Sequence, residues 1–343
     1  MSDDAQTKSD NAETLGWDAF FADQVTEAET DLLPMRIATV HRARMTAVNA
    51  KGVVRLVLPL QANTGNYAVG DWVLVHPDSL MPIRRLERRA LLQRRVDGGQ
   101  AQLIAANVDT LFIVTSCNAD FNPARLERYL ALANEAGSNP VIVLTKADTV
   151  MDASRYQAEA EALQRGLSVV ALDATSAEAA RALTPWCGVG QTVALVGSSG
   201  VGKSTLLNTL AAKEGDDRQE TGGIREDDAK GRHTTTSRSL HRIPDGGWVI
   251  DTPGMRTLHV SDVAGGLETL FAEITDLAPS CRFRDCTHAH EPGCAVQAAM
   301  AAGTLDPGRL DRWRKLTEEN RDNTPVLTGP KGNKSVQPRN RRR

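Results

Sequence analysis

Three textures of apolar and polar positions divide the chain. From about residue 36 to 96, stretches such as RIATVHRARMTAV, GVVRLVLPL and VGDWVLVHP alternate apolar with polar residues, and the turn-forming NAKG and NTGNYAVGD separate them. A period of two places one face of each strand on a core, and short strands at this spacing predict a small all-β barrel or sandwich. From about 103 to 260 the apolar runs become continuous: VDTLFIVTS, NPVIVLTKAD, LSVVALDATS, QTVALVGSS and GWVIDTPG. Such runs predict strands buried on both faces, and the helical patterns between several of them predict a mostly parallel α/β sheet. FNPARLERYLALANEAG predicts one of these helices, with Asn122 as N-cap, Pro123 at the first helical position and Gly137 as the stop. The remainder, about 261–320, is α-rich around a cysteine cluster, and its last helix is predicted in LDPGRLDRWRKLTEEN, capped by Asp306.

One stretch fits no pattern. KEGDDRQETGGIREDDAKGRHTTTSRS, 213–239, is polar and aperiodic inside the α/β region, which marks it as a functional or disordered loop.

Charge sharpens the picture at the two ends. Net charge is −3, but residues 1–33 hold nine acidic residues and one basic, while residues 329–343 hold six basic and no acidic ones. Tails of this composition, 1–35 and 323–343, are expected to be disordered, the basic one suited to a polyanion such as RNA. No apolar run is long enough for a bilayer and the N-terminus lacks a secretory signal, so a cytoplasmic protein with no membrane partner is expected. Nothing in the sequence warrants an oligomer, and a monomer is expected.

The chemistry begins at VALVGSSGVGKSTLLNTL, a strand, a glycine-rich turn and a helix. Gly197, Ser198, Ser199, Gly200, Val201 and Gly202 would wrap their backbone around phosphate oxygens. Lys203 would neutralise the β- and γ-phosphates, Ser204 would ligate magnesium, and Thr205 follows in the first helical turn. WVIDTPG ends a buried strand 48 residues beyond that lysine with Asp251, a second magnesium carboxylate acting through water, and Gly254, an N–H donor to the γ-phosphate. VIVLTKAD ends another strand. Asp148 there can accept two hydrogen bonds from the N1–H and exocyclic amine of guanine, which selects GTP over ATP, while Lys146 could lie along the base. In DATSAEA the Ser176–Ala177 backbone could contact guanine O6.

The order of these parts is unusual. A guanine nucleotide-binding protein runs phosphate loop, switch threonine, Asp-x-x-Gly, then the base-reading motif; here the base-reading pair comes first. The chain is therefore expected to be circularly permuted. Permuted order, an N-terminal β-barrel and a C-terminal Cys/His cluster together resemble the ribosome small subunit-dependent GTPase A family, over about residues 36–320. The resemblance implies an α/β fold class in which a circularly permuted P-loop GTPase domain (98–260) follows an OB-type barrel (36–97) that binds RNA. A helical zinc-binding domain (261–322) comes after it. It also implies GTP hydrolysis to GDP, stimulated by the 30S subunit during its late maturation, with 16S rRNA as a partner. Carried over residue by residue, it makes Thr235 the magnesium-binding threonine, with Thr234 and Thr236 as open alternatives, and His233 the group that helps orient the attacking water.

Two positions depart from the usual pattern. Thr145 stands where asparagine begins the base-reading motif; its hydroxyl is shorter and lacks the amide, so part of the support to base or phosphate loop is expected to be lost. Met255 follows DTPG where many small GTPases carry a water-positioning glutamine, so unaided turnover is expected to be slow.

CRFRDCTHAHEPGC places Cys281, Cys286, His288 and Cys294 at a spacing suited to tetrahedral zinc with no open position, hence a structural site. His290 competes with His288 on spacing alone; the family arrangement favours His288. Cys117 and Cys187 fit small core residues. RRLERRALLQRR, 84–95, carries six arginines and one glutamate and could grip RNA phosphates; Trp72 is expected to pack in the barrel. The rival reading is an RNA-binding sensor that uses GTP as a conformational ligand with little hydrolysis.

Overall fold

The computed structural model describes residues 12–95, 101–212, 238–244, 246–252, 260–325, 327–328 and 334–335. In chain order the barrel strands are β1 (Leu33–His41), β2 (Arg44–Asn49), β3 (Gly52–Arg55), β4 (Trp72–Val75) and β5 (Pro82–Arg85), after a single turn α1 (Ala19–Ala22). A hairpin, β6 (Leu91–Arg95) and β7 (Ala101–Ala106), leads to β8 (Thr110–Ser116), α2 (Pro123–Ala136) and β9 (Asn139–Thr145). Then come α3 (Ser154–Glu161), β10 (Ser168–Ala171), α4 (Ala177–Leu183), β11 (Thr192–Val196), α5 (Lys203–Leu210), β12 (Ser239–Arg242) and β13 (Trp248–Asp251). The C-terminal region holds α6 (Ala264–Leu270), α7 (Ala272–Thr275), α8 (Ala295–Ala301) and α9 (Pro307–Asn323).

Strand order is β10-β9-β8-β11-β13-β12-β1-β2-β3, with β4 pairing β1 and β5. β10, β9, β8, β11 and β13 are mutually parallel; the side chains of β9, β8, β11 and β13 are covered on both faces, as the continuous apolar runs require, while the edge strand β10 is half-buried. The permutation is visible here: β11, which carries the glycine loop, sits between strands that precede it in sequence and strands that follow it. Asn122 accepts from the Arg125 N–H at 3.0 Å and Gly137 closes α2 at φ 77°, as the sequence predicts. Asp306 caps α9 in the same way.

Barrel and parallel sheet are joined, not strung on a linker. β1 is the seam: it pairs β4 and β2 in the barrel and β12 beyond it, with a register shift between Ile37 and Thr39 that bends the strand from one sheet to the other. The β6–β7 hairpin straddles the expected boundary at 97–98.

The expected disordered tail over 1–35 does not hold for its described residues. Leu15 and Phe21 are buried, Trp17 packs edge-on against Trp72 at 4.9 Å, and the Trp248 indole donates to the Thr14 carbonyl at 2.8 Å. Charge averaged over the segment concealed LGWDAFF, whose apolar side chains supply the burial that orders it. Arg36, 1% exposed, binds the junction by donating to Leu15 O (2.7 Å) and Thr192 Oγ1 (2.6 Å). Burial pulls its guanidinium down to about 10, so it remains a cation at neutral pH. In the basic tail, α9 runs on to Asn323 and residues 327–328 pair with 334–335 as antiparallel strands; the other residues beyond 325 lie outside the described residues.

Four of the six arginines in the 84–95 stripe are engaged in ion pairs. Arg84 pairs with Glu29 at 2.6 Å, Arg88 with buried Asp71 at 2.6 Å, Arg89 with Asp18, and Arg95 with Asp262. All four partners lie outside the stripe, which is why it resembled a free cationic surface. The Arg84 hydrogen bond holds the Glu29 carboxyl down to about 2. That contribution to stability is full above the ordinary value of 4.5 and is lost as pH falls toward 2. The melting-temperature gap between wild type and Glu29→Gln should therefore close on acidification across that window, as followed by thermal unfolding; a gap that persists unchanged would remove the pair from acid sensitivity.

Candidate nucleotide site and metal centre

All parallel strands point their C-terminal ends to one edge, where open α/β sheets bind ligands. The glycine loop leaves β11 there, TKAD leaves β9, the Asp173–Ala177 loop leaves β10, and Asp251 ends β13. Gly197, Gly200 and Gly202 have φ of 141°, 79° and 93°, a region that glycine enters without strain. At Gly197 a Cβ would also lie 2.1 Å from Val114 O, so the loop begins in contact with the backbone of β8. α5 starts at Lys203, so Lys203, Ser204 and Thr205 form its first turn, with their free N–H groups at the loop. Lys203 donates its ammonium to the Ser198 carbonyl, and Arg125, from the first turn of α2, donates to the Ser198 hydroxyl. Val201 is buried, while Ser199 and Gly200 are exposed at the tip.

Thr145 does more than its departure from asparagine suggests. Fully buried, its hydroxyl lies 2.6 Å from Val201 O and 3.1 Å from Thr115 O, and its single proton goes to the nearer. The link from base-reading strand to phosphate loop is therefore kept, contrary to the expectation that part of it would be lost. Lys146 takes a left-handed φ of 56°, turning the chain so that Asp148 stands exposed at the rim. Burial, and to a lesser degree the Asp148 charge, raise the thiol of neighbouring Cys117, a core residue as expected, like Cys187.

The β10 loop is ordered by Asp173, which accepts from the Thr175 N–H (2.8 Å) and hydroxyl (2.7 Å); these bonds hold its carboxyl below the usual range. Ser176 then caps α4, leaving Ala177 exposed at the first helical position. Thr209 ties α5 to this loop through Ala174 O at 2.8 Å. Asp251 is half-buried at the end of β13, and Thr252 donates to Leu195 O, fixing β13 on β11. His233, Thr234, Thr235, Thr236, Gly254 and Met255 lie outside the described residues. Arg125, Thr209 and Thr252 were not anticipated; only Arg125 had a signal, its place in the first turn of a helix opening at the same sheet edge.

In the C-terminal region the ligand atoms of Cys281, Cys286, His288 and Cys294 lie within 4.8 Å of one another. Cys281 Sγ is 3.6 Å from His288 Nδ1 and 3.9 Å from Cys294 Sγ, and His288 Nδ1 is 3.4 Å from Cys294 Sγ. Metal–ligand bonds of about 2.0–2.3 Å in a tetrahedron give edges of roughly 3.5–3.8 Å, so the donor set fits zinc. The spacing ambiguity is also resolved: His288 is buried in the cluster against Trp313, and His290 is exposed. The Glu291 carboxylate accepts from the Thr287 and Ala289 N–H groups at 2.8 and 2.9 Å, shaping the loop that presents His288.

This region is bolted to α2. Arg309 meets Glu127 at 2.7 Å and Glu273 at 2.6 Å, Arg312 reaches Glu127 at 2.8 Å, and Arg128 meets Glu319. Where α6 crosses α2, a Cβ on Gly266 would fall 2.0 Å from Ala131 O, so glycine permits the contact. No described helix is long and apolar enough to cross a membrane.

Comparison with known proteins agrees with this arrangement. The family model RsgA GTPase matches residues 85–261. The chain is 66% identical to the small ribosomal subunit biogenesis GTPase RsgA of Mesorhizobium japonicum, covering 96% of this chain and 95% of that one. It is 49% identical to RsgA 2 of Vibrio vulnificus, covering 89% and 86%. In structure it resembles YjeQ from Thermotoga maritima, with TM-score 0.60 and 26% identity over 84% of this chain and 98% of that one. YloQ, a circularly permuted GTPase, shares the fold at TM-score 0.60 and 23% identity, covering 88% and 99%. On the match of its central region and the likeness over nearly its whole length, the chain belongs to the RsgA GTPase family.

Proposed function

We propose that this GTPase binds the 30S subunit through 16S rRNA, hydrolyses GTP when so bound, and acts late in maturation of the subunit. The convergence of glycine loop, TKAD, the Ser176–Ala177 loop and Asp251 at one sheet edge carries the nucleotide reading. The name of its M. japonicum relative supports the ribosomal one. Gly197–Gly202 cradle the phosphates, Asp148 reads guanine with Lys146 and Ser176–Ala177 beside it, and Thr145 holds the loop. Magnesium, bound by Ser204 and Thr235 with Asp251 through water, would neutralise phosphate charge. Water attacks the γ-phosphate directly; Lys203 and the loop N–H groups, including Gly254, take up the charge, and His233 orients the water. Zinc on Cys281, Cys286, His288 and Cys294 is structural.

With four of the six 84–95 arginines held in ion pairs, the RNA surface falls to the barrel hairpins. Arg42, Arg44, Lys51 and Arg55 are exposed there, and none has an ion-pair partner among the described residues. Such cations neutralise phosphates and make binding salt-dependent. The protein works as a monomer in the cytoplasm.

Phosphate release measured alone, with 30S and with 50S subunits tests the whole reading. Slow turnover alone and a strong rise with 30S only is expected, and His233→Ala should remove most of the rise while leaving GTP and 30S binding nearly intact. Equal rates in all three mixtures would favour the sensor reading. For the base, Asp148→Asn should shift preference from GTP toward xanthosine triphosphate, because an amide donates to the 2-oxo group of xanthine. Unchanged GTP preference in competition binding would remove Asp148 from base reading.

A further inference from the structure

We propose that Arg125 is a positioning residue for GTP hydrolysis, setting the phosphate-binding ammonium of Lys203 through Ser198; this rests on the GTPase reading above. Ser198 is gripped at two atoms. Its hydroxyl takes the Arg125 guanidinium and its carbonyl takes the Lys203 ammonium. The residue on which Lys203 rests is thus held from outside the loop, by an arginine on a different helix. A guanidinium suits this task, being always charged, planar and rigid at its donor end.

The arginine is itself well anchored. α2 begins three residues after Asp120, whose N–H donates to Asn118 at 2.9 Å; Asn118 also accepts from Ser116 Oγ at 2.9 Å, so the first turn of α2 is fixed relative to β8. Two and three residues beyond Arg125, Glu127 is clasped by Arg309 and Arg312, and Arg128 by Glu319. Glu319 also accepts the Val260 N–H at 3.1 Å, beside the segment that follows Asp251. A single helix therefore fastens the phosphate loop at its first turn and the zinc-bearing region at its second. Without the Arg125 bond, Ser198 would lose its tie to α2, and its carbonyl, on which the Lys203 ammonium rests, would be held less firmly before the phosphates charge up in the transition state.

The test is steady-state GTP hydrolysis, with 30S subunits present, by wild type, Arg125→Ala, Arg125→Lys, Ser198→Ala and the double variant Arg125→Ala/Ser198→Ala. Nucleotide-binding stoichiometry is used to count folded sites. Arg125→Ala should lower kcat by about tenfold, the scale of one lost charge-assisted hydrogen bond, while KM changes little. Arg125→Lys should recover part of the rate, Ser198→Ala should reproduce the loss, and the double variant should be no slower than either single one. A role in folding alone would reduce the number of binding sites and leave kcat per site unchanged. Wild-type kcat per site in Arg125→Ala, or additive losses in the double variant, would overturn the role of Arg125 while leaving the GTPase reading intact. A wild type with no GTP turnover would overturn that reading and this inference with it.

Discussion

Replacing Cys294 with serine should strip zinc from the protein and melt the C-terminal region ahead of the rest. Cys294 is 5% exposed and has two functions: its sulfur sits in the cluster, and it caps α8 by accepting the Gln297 N–H at 3.4 Å. Serine is a good N-cap, so this substitution preserves the second function and removes the first. What remains is three ligands and a hydroxyl, beside helices that are short: α6 has seven residues, α7 four and α8 seven. Helices of that length have little stability of their own, so a metal on the four ligands would supply folding free energy there. Metal analysis should find about one zinc per chain in wild type and little in Cys294→Ser or in Cys286→Ser. Full zinc content in both variants would remove the cluster from metal binding.

Arg309→Ala should cost about 3–5 kcal/mol of stability, the range for breaking a buried ion pair from one side. Arg309 is 6% exposed, donates to Leu163 O (2.6 Å) and Leu270 O (2.8 Å), lies 4.3 Å over the Phe271 ring, and pairs with both Glu127 and Glu273. Its loss orphans two carbonyls and leaves Glu127, 1% exposed, with Arg312 alone. Burial already raises the Glu127 carboxyl against the pull of both arginines, so removing one should raise it further. Arg309→Met with Glu127→Leu should recover much of the loss, because apolar groups of similar volume need no compensation. Chemical denaturation of the three proteins checks this; a single variant as stable as wild type would show that the clasp between α2 and the region of the Cys/His cluster carries no net stability.

The sequence by itself determined what local chemistry dictates. Continuous apolar runs specified the parallel strands, Asn122, Gly137 and Asp306 marked helix ends, and the glycine loop, TKAD, Asp251 and the cysteine spacing marked the candidate sites. Each is a property of neighbouring residues. Chain order also exposed the permutation, since the base-reading motif precedes the phosphate loop. Tertiary structure decided whatever depends on partners distant in the chain. Arg84, Arg88, Arg89 and Arg95 resembled part of an RNA surface until Glu29, Asp71, Asp18 and Asp262 were seen against them. The acidic N-terminus looked unfoldable until Trp72 and Arg36 gave its apolar residues a place to pack. Thr145 looked like a weakened motif until Val201 O appeared 2.6 Å from its hydroxyl. In each case the deciding partner is 17 or more residues away, the shortest separation being that of Asp71 from Arg88, and at such distances composition and period carry no information about which groups meet.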